Sequence, residues 1–267
     1  MSELNTLVLS STRCIRVLLG LLLMLTLSAC VTTQRGGFDK PVSTDEAIAS
    51  RVAAAKQYLL SRNFEAARRH LKTAYEINPK SADVHDALAL TFQYSSEYEL
   101  AESHYKKAIN FGEGQSRFRF NYANYLYQQK RFKQAEGQLQ TIVEDSLYEK
   151  RESALVMLGL CQQQLLQAAK AQRSFERALI LNPRNTRVLR ELSIMNYEAK
   201  NFQIAWRYFQ NYRKVVTRPD AELLLLGIEL ARELNDANSE ASYVLALKNL
   251  YPNSREYQSY LRRQQYE

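Results

Sequence analysis

Five prolines and eight glycines in 267 residues leave few places to interrupt a helix, and that scarcity favours a folded, helical chain. Long apolar runs are missing too. The longest, Val17 to Leu27, has 11 residues, too few to cross a bilayer as a helix. There is no glycine-rich phosphate loop, no nucleophile elbow and no zinc-binding helix motif. Three histidines and three cysteines are spread along the chain without metal-ligand spacing. Neither a catalytic residue nor a metal site is therefore expected, and the chain is read as a non-enzyme without a small-molecule substrate. Net charge is only +8. Basic and acidic residues alternate, as in Arg68, Arg69, Glu76 and in Glu229, Arg232, Glu233, which marks solvated helix faces. The densest basic group, Arg184, Arg187 and Arg190, would attract an anionic lipid or an acidic partner, but nothing has the form of a nucleic-acid module.

What is present is a repeat. In the stretch from Tyr58 to Pro79, Tyr58, Ala67, Leu71, Ala74 and Pro79 sit at offsets 0, 9, 13, 16 and 21. Phe92, Ala101, Tyr105 and Ala108 follow at the same offsets, then Gln162, Ala171, Phe175, Ala178 and Pro183. Counted from the terminal proline, 34-residue units fall at 48-81, 82-115 and 116-149. Two extra residues, Lys150 and Arg151, break the phase, and further units follow at 152-185, 186-219 and about 220-253. The sixth matches least well, its Pro252 falling one residue late. This period resembles the tetratricopeptide repeat, with small residues such as Gly159 where two helices cross and bulky ones filling the gaps. The resemblance implies an all-α superhelix of six helix-turn-helix units. A single unit cannot bury its apolar face, so stacking is obligatory and leaves a groove lined by the first helix of each unit. Residues 254-267 put Tyr257, Tyr260 and Leu261 on one face, as a capping helix would.

The N-terminus sets the expected compartment. Arg13 and Arg16 precede the apolar run, which ends in Leu27-Ser28-Ala29-Cys30 and looks like a bacterial lipobox. Residues 1-29 are then a lipoprotein signal peptide, and Cys30 carries covalent lipid, palmitate included. Several acyl chains at about 0.8 kcal/mol per buried methylene make such an anchor effectively permanent. By resemblance to bacterial lipoproteins, Val31 after the cysteine suggests sorting to the periplasmic face of the outer membrane. Residues 30-43, polar and broken by Gly36, Gly37 and Pro41, read as a tether, with the repeat domain at 44-267 starting near a capping box of Ser43 and Glu46. Cys161, beside Leu158 and Leu160, is left as a buried, inert thiol.

Groove positions in such arrays are the second, fifth, ninth, twelfth and thirteenth of each first helix. In the first three units they include Val52, Leu59, Leu60, then Leu90, Gln93, Tyr94, then Phe120, Asn124, Tyr127, an apolar and aromatic strip suited to a partner peptide. Units four to six offer the more basic Arg187, Arg190, Ile194 and Tyr197. The Lys-plus-Asn clamp for a terminal carboxylate is not reproduced, since Phe120 stands beside Asn124. His70 and His104 share position 23 of their units, which predicts neighbouring helix faces; His85 begins a helix with Asp83 and Asp86. All three read as solvated or hydrogen-bonded histidines, and Trp206 as a packing residue first.

Longer segments carry a closer resemblance. ADVHDALALTFQ at 82-93, FNYANYLYQQKRFKQAE at 120-136, SLYEKRE at 146-152, MLGLC at 157-161, LLLLGIELARELND at 223-236 and ASYVLALKNLYPNS at 241-254 resemble the PilF/PilW family of pilotin lipoproteins. The break at Lys150-Arg151 falls where that family also leaves the 34-residue phase. Glu149 stands where relatives often have proline, and Ala123 where many have glycine. The resemblance implies one partner above others, the type IV pilus secretin, whose outer-membrane localisation and multimerisation such proteins promote. A periplasmic scaffold for peptidoglycan enzymes or outer-membrane barrel assembly would need the same fold and anchor.

Overall fold

The computed structural model describes residues 43–265. The expected signal peptide, Cys30 and nearly all of the expected tether lie outside the described residues. Thirteen helices follow one another among those residues: α1 (Thr44–Leu60), α2 (Phe64–Ile77), α3 (Ala82–Tyr94), α4 (Tyr98–Phe111), α5 (Ser116–Gln128), α6 (Phe132–Ile142), α7 (Arg151–Gln164), α8 (Ala168–Leu181), α9 (Thr186–Glu198), α10 (Phe202–Val215), α11 (Ala221–Glu233), α12 (Ala237–Leu250) and α13 (Arg255–Gln264). None of them is long and apolar enough to cross a membrane. Odd and even helices pair as hairpins from α1–α2 to α11–α12, and the second helix of each pair packs on the first helix of the next. This is the all-α superhelical repeat that the spacing predicts.

The small residues explain why the hairpins close. Ala55, Ala67, Ala74, Ala89, Ala101, Ala108, Ala123, Ala135, Ala171 and Ala178 are fully buried at helix crossings. Each leaves room for a large neighbour from the facing helix, among them Leu71, Tyr105, Leu139, Phe175 and Phe209, which are also buried. At Gly159 even a methyl is too much, since a Cβ there would stand 2.5 Å from the Phe175 ring. The cores of successive hairpins abut, from Ile48, Val52 and Leu71 at one end to Leu224, Ile228 and Leu247 at the other. On that last cluster pack Tyr257 and Tyr260 of α13, so the C-terminal helix closes the array as expected, although Leu261 stays 38% exposed.

Every hairpin turns on three residues, and the first of its last two always has a left-handed backbone. Arg62, Ser96, Lys130, Leu166, Lys200 and Asn235 have φ between 56° and 64°. The next N–H bonds back to the carbonyl five residues earlier, as from Asn63 to Tyr58 at 2.9 Å and from Gln167 to Gln162 at 2.8 Å, which satisfies the end of each first helix. Only Asn235 is a residue type that tolerates this conformation readily. Leu166 also leaves its side chain 92% exposed, so it contributes no packing. Leu166→Gly is expected to raise stability by roughly 0.5–1 kcal/mol, the relief of strain less the added freedom of the unfolded chain, readable as a higher thermal midpoint.

These turns also correct the sixth unit. Asn235 lies 35 residues after Lys200 rather than 34, and α11 begins at Ala221, because the connection before it, residues 216–220, is one residue longer than the four-residue connections 78–81, 112–115 and 182–185. The unit therefore runs in phase from 221, not 220, and Pro252 then takes its regular place. The crossing position that is small in every other unit, Ala55, Ala89, Ala123, Gly159 and Ser193, holds Ile228 in that phase, buried in one cluster with Leu247. Gly227 makes room for the preceding hairpin instead: a Cβ there would lie 2.6 Å from Cζ of Phe209.

The other break in phase has a larger consequence. The connection between α6 and α7 spans residues 143–150, twice the usual length, and leaves Leu147 91% exposed. Arg151 reaches back to the carbonyl of Val143 at 2.8 Å, and Asp145 accepts from the N–H of Leu147 at 3.1 Å, which holds the loop in place.

Candidate functional site

The odd-numbered helices are tied to one another by side chains about one unit apart. Asp83 pairs with both terminal nitrogens of Arg117, Asp86 accepts from the Asn121 amide at 2.9 and 2.8 Å, and Gln93 accepts from Tyr105 at 2.6 Å while its amide donates to Gln128 at 2.7 Å. Further along, Asn185 donates to Glu152, Arg190 pairs with Glu222 and Arg263 with Glu229. This ladder fixes the spacing of the helices that line the groove. On the even-helix side Glu102 accepts from Arg131, Lys106 and Tyr122, and the Arg131 guanidinium holds its carboxyl well below the usual carboxylate range.

The expected strip of nine residues does not form one surface. Val52 and Leu59 are buried in the first core cluster, and Gln93 is buried by its own hydrogen bonds to Tyr105 and Gln128, so these three support the groove and do not offer free side chains to a partner. Leu90, Phe120 and Tyr127 are partly buried against the core, and the Asn124 amide is turned back onto the Phe120 carbonyl at 3.0 Å. Leu60 and Tyr94 are exposed, at 80% and 54%, and share a hollow of about 410 Å³ with Leu59, Arg62 and Phe64. Val52 forms part of another, of about 460 Å³, with Ile48, Lys56 and Asp83. Phe120 borders a third, of about 240 Å³, floored by Val156, Met157 and Leu160 with Arg187 at its rim. The helix periodicity is right and the burial is not, because the tight hairpin crossing draws the twelfth position of the first two units inward.

A cavity of about 530 Å³ is lined by none of the nine. Lys56 of α1, Asp86 of α3, and Arg117 and Asn121 of α5 form its floor; Asp145, Leu147, Tyr148, Glu149 and Lys150 of the long loop form its wall. Asp86 is only 7% exposed, and burial raises its pKa, partly opposed by the Asn121 hydrogen bond and by Lys56. Tyr148 stands between this cavity and its neighbour, its ring 6.1 Å from that of Phe120. Lys56, Asp86 and Arg117 occupy the ninth, fifth and second positions of their units, so the groove rule itself points to them; preference for apolar residues passed them over. The loop residues had no such rule, because they lie where the period fails, and the only signal for them is the SLYEKRE segment.

The histidines sort differently from their spacing. His104 meets His85, not His70, with 2.9 Å between their Nδ1 atoms, while His70 stacks on Tyr58 at 5.3 Å. Among the described residues no group of three or more His, Cys, Asp or Glu could hold a metal ion. Cys161 is fully buried, and burial, with Glu136 nearby, pushes its thiol up to about 12. Trp206 stacks on Phe209 at 5.6 Å and meets Tyr243 edge-on at 6.2 Å, a packing role.

No family model matches the chain. It is nevertheless 36% identical over 250 residues to the type IV pilus assembly protein PilF of Pseudomonas aeruginosa, covering 92% of this chain and 98% of that protein. The solved structure of P. aeruginosa PilF superimposes with a TM-score of 0.72, covering 82% of this chain and 99% of that one. At lower identity, 22% and 15%, the fold is shared with PilW, a type IV pilus biogenesis factor (TM-score 0.66, 81% of this chain and 99% of that one), and with YrrB, a tetratricopeptide-repeat protein with a peptide-binding site (0.61, 72% and 97%).

Proposed function

The chain belongs to the family of the type IV pilus assembly protein PilF, and from that premise we propose that it acts in pilus biogenesis as an outer-membrane lipoprotein that binds the pilus secretin and promotes its localisation and multimerisation. The observation that carries this reading is the match to PilF at 36% identity over nearly that protein's whole length. Two features of the chain support the finer steps. The lipobox ending at Cys30 supplies a membrane anchor, and the face of α1, α3, α5 and α7 supplies cavities of a size that takes peptide side chains. In this reading the groove captures a secretin subunit in the periplasm, the tether of residues 30-43 gives reach, and the lipid holds the complex at the outer membrane. No bond is made or broken, so the protein is a binding scaffold and its effect is to raise the local concentration of subunits where the ring assembles.

Two variants separate the halves of this mechanism. Cys30→Ala is expected to leave the protein folded and secretin-binding but detached from the membrane, with secretin multimers lost from outer-membrane fractions. Normal multimers in that strain would remove the anchoring step. Leu60→Asp with Tyr94→Ala, and separately Leu147→Asp, change side chains that are exposed at 80%, 54% and 91% and so should not disturb folding. They are expected to abolish recovery of secretin in a pull-down from envelope extracts. Secretin retained by both would remove the groove assignment, and recovery of peptidoglycan enzymes or barrel-assembly proteins in its place would establish the scaffold reading.

A further inference from the structure

The Asp86 cavity contains a carboxylate that the fold itself does not need. Asp86 and Asn121 tie α3 to α5, and seven residues further along both helices Gln93 and Gln128 tie them again with neutral amides alone. An amide at position 86 would serve that purpose without burying a charge, which costs several kcal/mol unless a cation compensates it. Among the described residues no lysine or arginine nitrogen comes within ion-pair distance of Asp86. Arg117, the nearest guanidinium on the cavity floor, is committed to Asp83 through both terminal nitrogens. Asp145 accepts from Ser116 at 2.6 Å and from the Leu147 N–H at 3.1 Å. The lining sets Asp86, Asp145 and Glu149 against Lys56, Arg117 and Lys150, and Asp83, outside the lining, neutralises Arg117, so the surroundings carry one acid in excess and Asp86 is the most buried of them. The Tyr148 ring and the Leu147 side chain border the same space. An aromatic face and an aliphatic wall above a buried carboxylate are what a long basic side chain uses, its stem on the apolar groups and its charged head on the acid.

We propose that the Asp86 cavity anchors a lysine or arginine side chain of the bound partner segment, with Asn121 orienting the carboxylate and Tyr148 and Leu147 holding the stem. This rests on the groove reading above and adds what the groove selects for: an extended segment with a basic residue at the position facing α3 and α5. Anchoring there gives specificity by charge, since a segment with an acidic or apolar residue at that point leaves the Asp86 carboxylate buried and uncompensated.

The test uses the full chain in detergent, an array of overlapping peptides tiling the periplasmic part of the secretin, and three proteins: wild type, Asp86→Asn and Leu147→Asp. Asp86→Asn keeps an amide partner for Asn121 and removes a buried charge, so its thermal midpoint is expected to match or exceed that of wild type, which controls for folding. The peptides that bind wild type are expected to share a basic residue. Asp86→Asn should weaken them at least tenfold and flatten the salt dependence of binding. Replacing the basic residue by norleucine should weaken binding to wild type by the same factor and change nothing further in Asp86→Asn. If Asp86→Asn binds as well as wild type while Leu147→Asp abolishes binding, the basic anchor is overturned and the groove reading stands. If both variants bind as wild type, the groove reading falls and takes the anchor with it.

Discussion

Phe175→Ala is expected to cost about 3–5 kcal/mol, the range for emptying a well-packed aromatic site, and to be the most damaging single substitution of those considered. Phe175 is fully buried on α8, inside the core cluster that joins four hairpins from Ala89 to Leu192. Its ring lies over Gly159 of α7, where an added Cβ would come within 2.5 Å of it and within 2.8 Å of Cζ. The two positions are therefore halves of one contact. Gly159→Ala should cost about 1–3 kcal/mol by overpacking, since the ring has no room to retreat. Combined with Phe175→Leu, the same methyl enters space the smaller side chain has vacated, so the double variant should be more stable than the sum of the two single losses implies. Because each hairpin is held only by its neighbours, loss at the fourth should also broaden the unfolding transition, leaving the first three hairpins protected in hydrogen exchange after the fourth has opened. Additive effects in the double variant would show that the ring and the glycine do not share a contact.

Acid is expected to destabilise the protein through His85 and His104, with the loss starting near pH 6.5. His85 is 1% exposed, and its Nε2 lies 3.0 Å from the Pro79 carbonyl, which can only accept. Nε2 must therefore carry the proton, leaving Nδ1 to accept from Nδ1–H of His104 at 2.9 Å. The hydrogen bond between the rings requires Nδ1 of His85 to stay unprotonated. A proton added to Nδ1 of His85 would set two N–H groups against each other, among the rings of Tyr75, Phe92 and Phe111 and near Lys107. Burial lowers the affinity of both rings for protons, His104 down to about 4, with Lys107 acting in the same direction. In the unfolded chain an imidazole titrates near 6.5. Below that pH the unfolded state binds protons that the folded state refuses, so stability is complete above about 6.5 and declines as pH falls toward 4. His104 is partly exposed, which screens the effect, and the loss is of order 1–2 kcal/mol. Thermal midpoints at pH 7 and pH 5 measure it. Replacing both histidines by glutamine should flatten the profile over that interval; an unchanged slope in the double variant would assign the acid sensitivity to other groups.

The same seam bears on how much of the molecule could be read from residues alone. The 34-residue period names the class of fold, the small crossing residues and the capping helix, because helix pairing depends on local spacing: a residue four positions away shares a face whatever its neighbours do. It also places Cys161 and Trp206 in packing roles. It misplaces the partner of His104, because the facing helix of the same hairpin, and not the equivalent helix of the unit before, is what lies nearest. Position 23 therefore meets the fourth residue of α3, and no count of periods reveals that. The period marks a break at Lys150 and Arg151 but not the course of the connection at residues 143–150, because a repeat pattern says nothing about the conformation of the residues that break it.

From its sequence alone this protein was determined to be a stack of helical hairpins, since propensity and small-residue spacing act over a few neighbouring residues. Tertiary structure alone decided which groove positions are available. Val52, Leu59 and Gln93 are drawn into the core by the closeness of the crossings, and Lys56, Asp86, Asn121 and the loop around Tyr148 are brought together from four segments of the chain. Convergence of that kind depends on the rotation of each hairpin against the next and on the length of one connection, and neither is a property of any single stretch of residues.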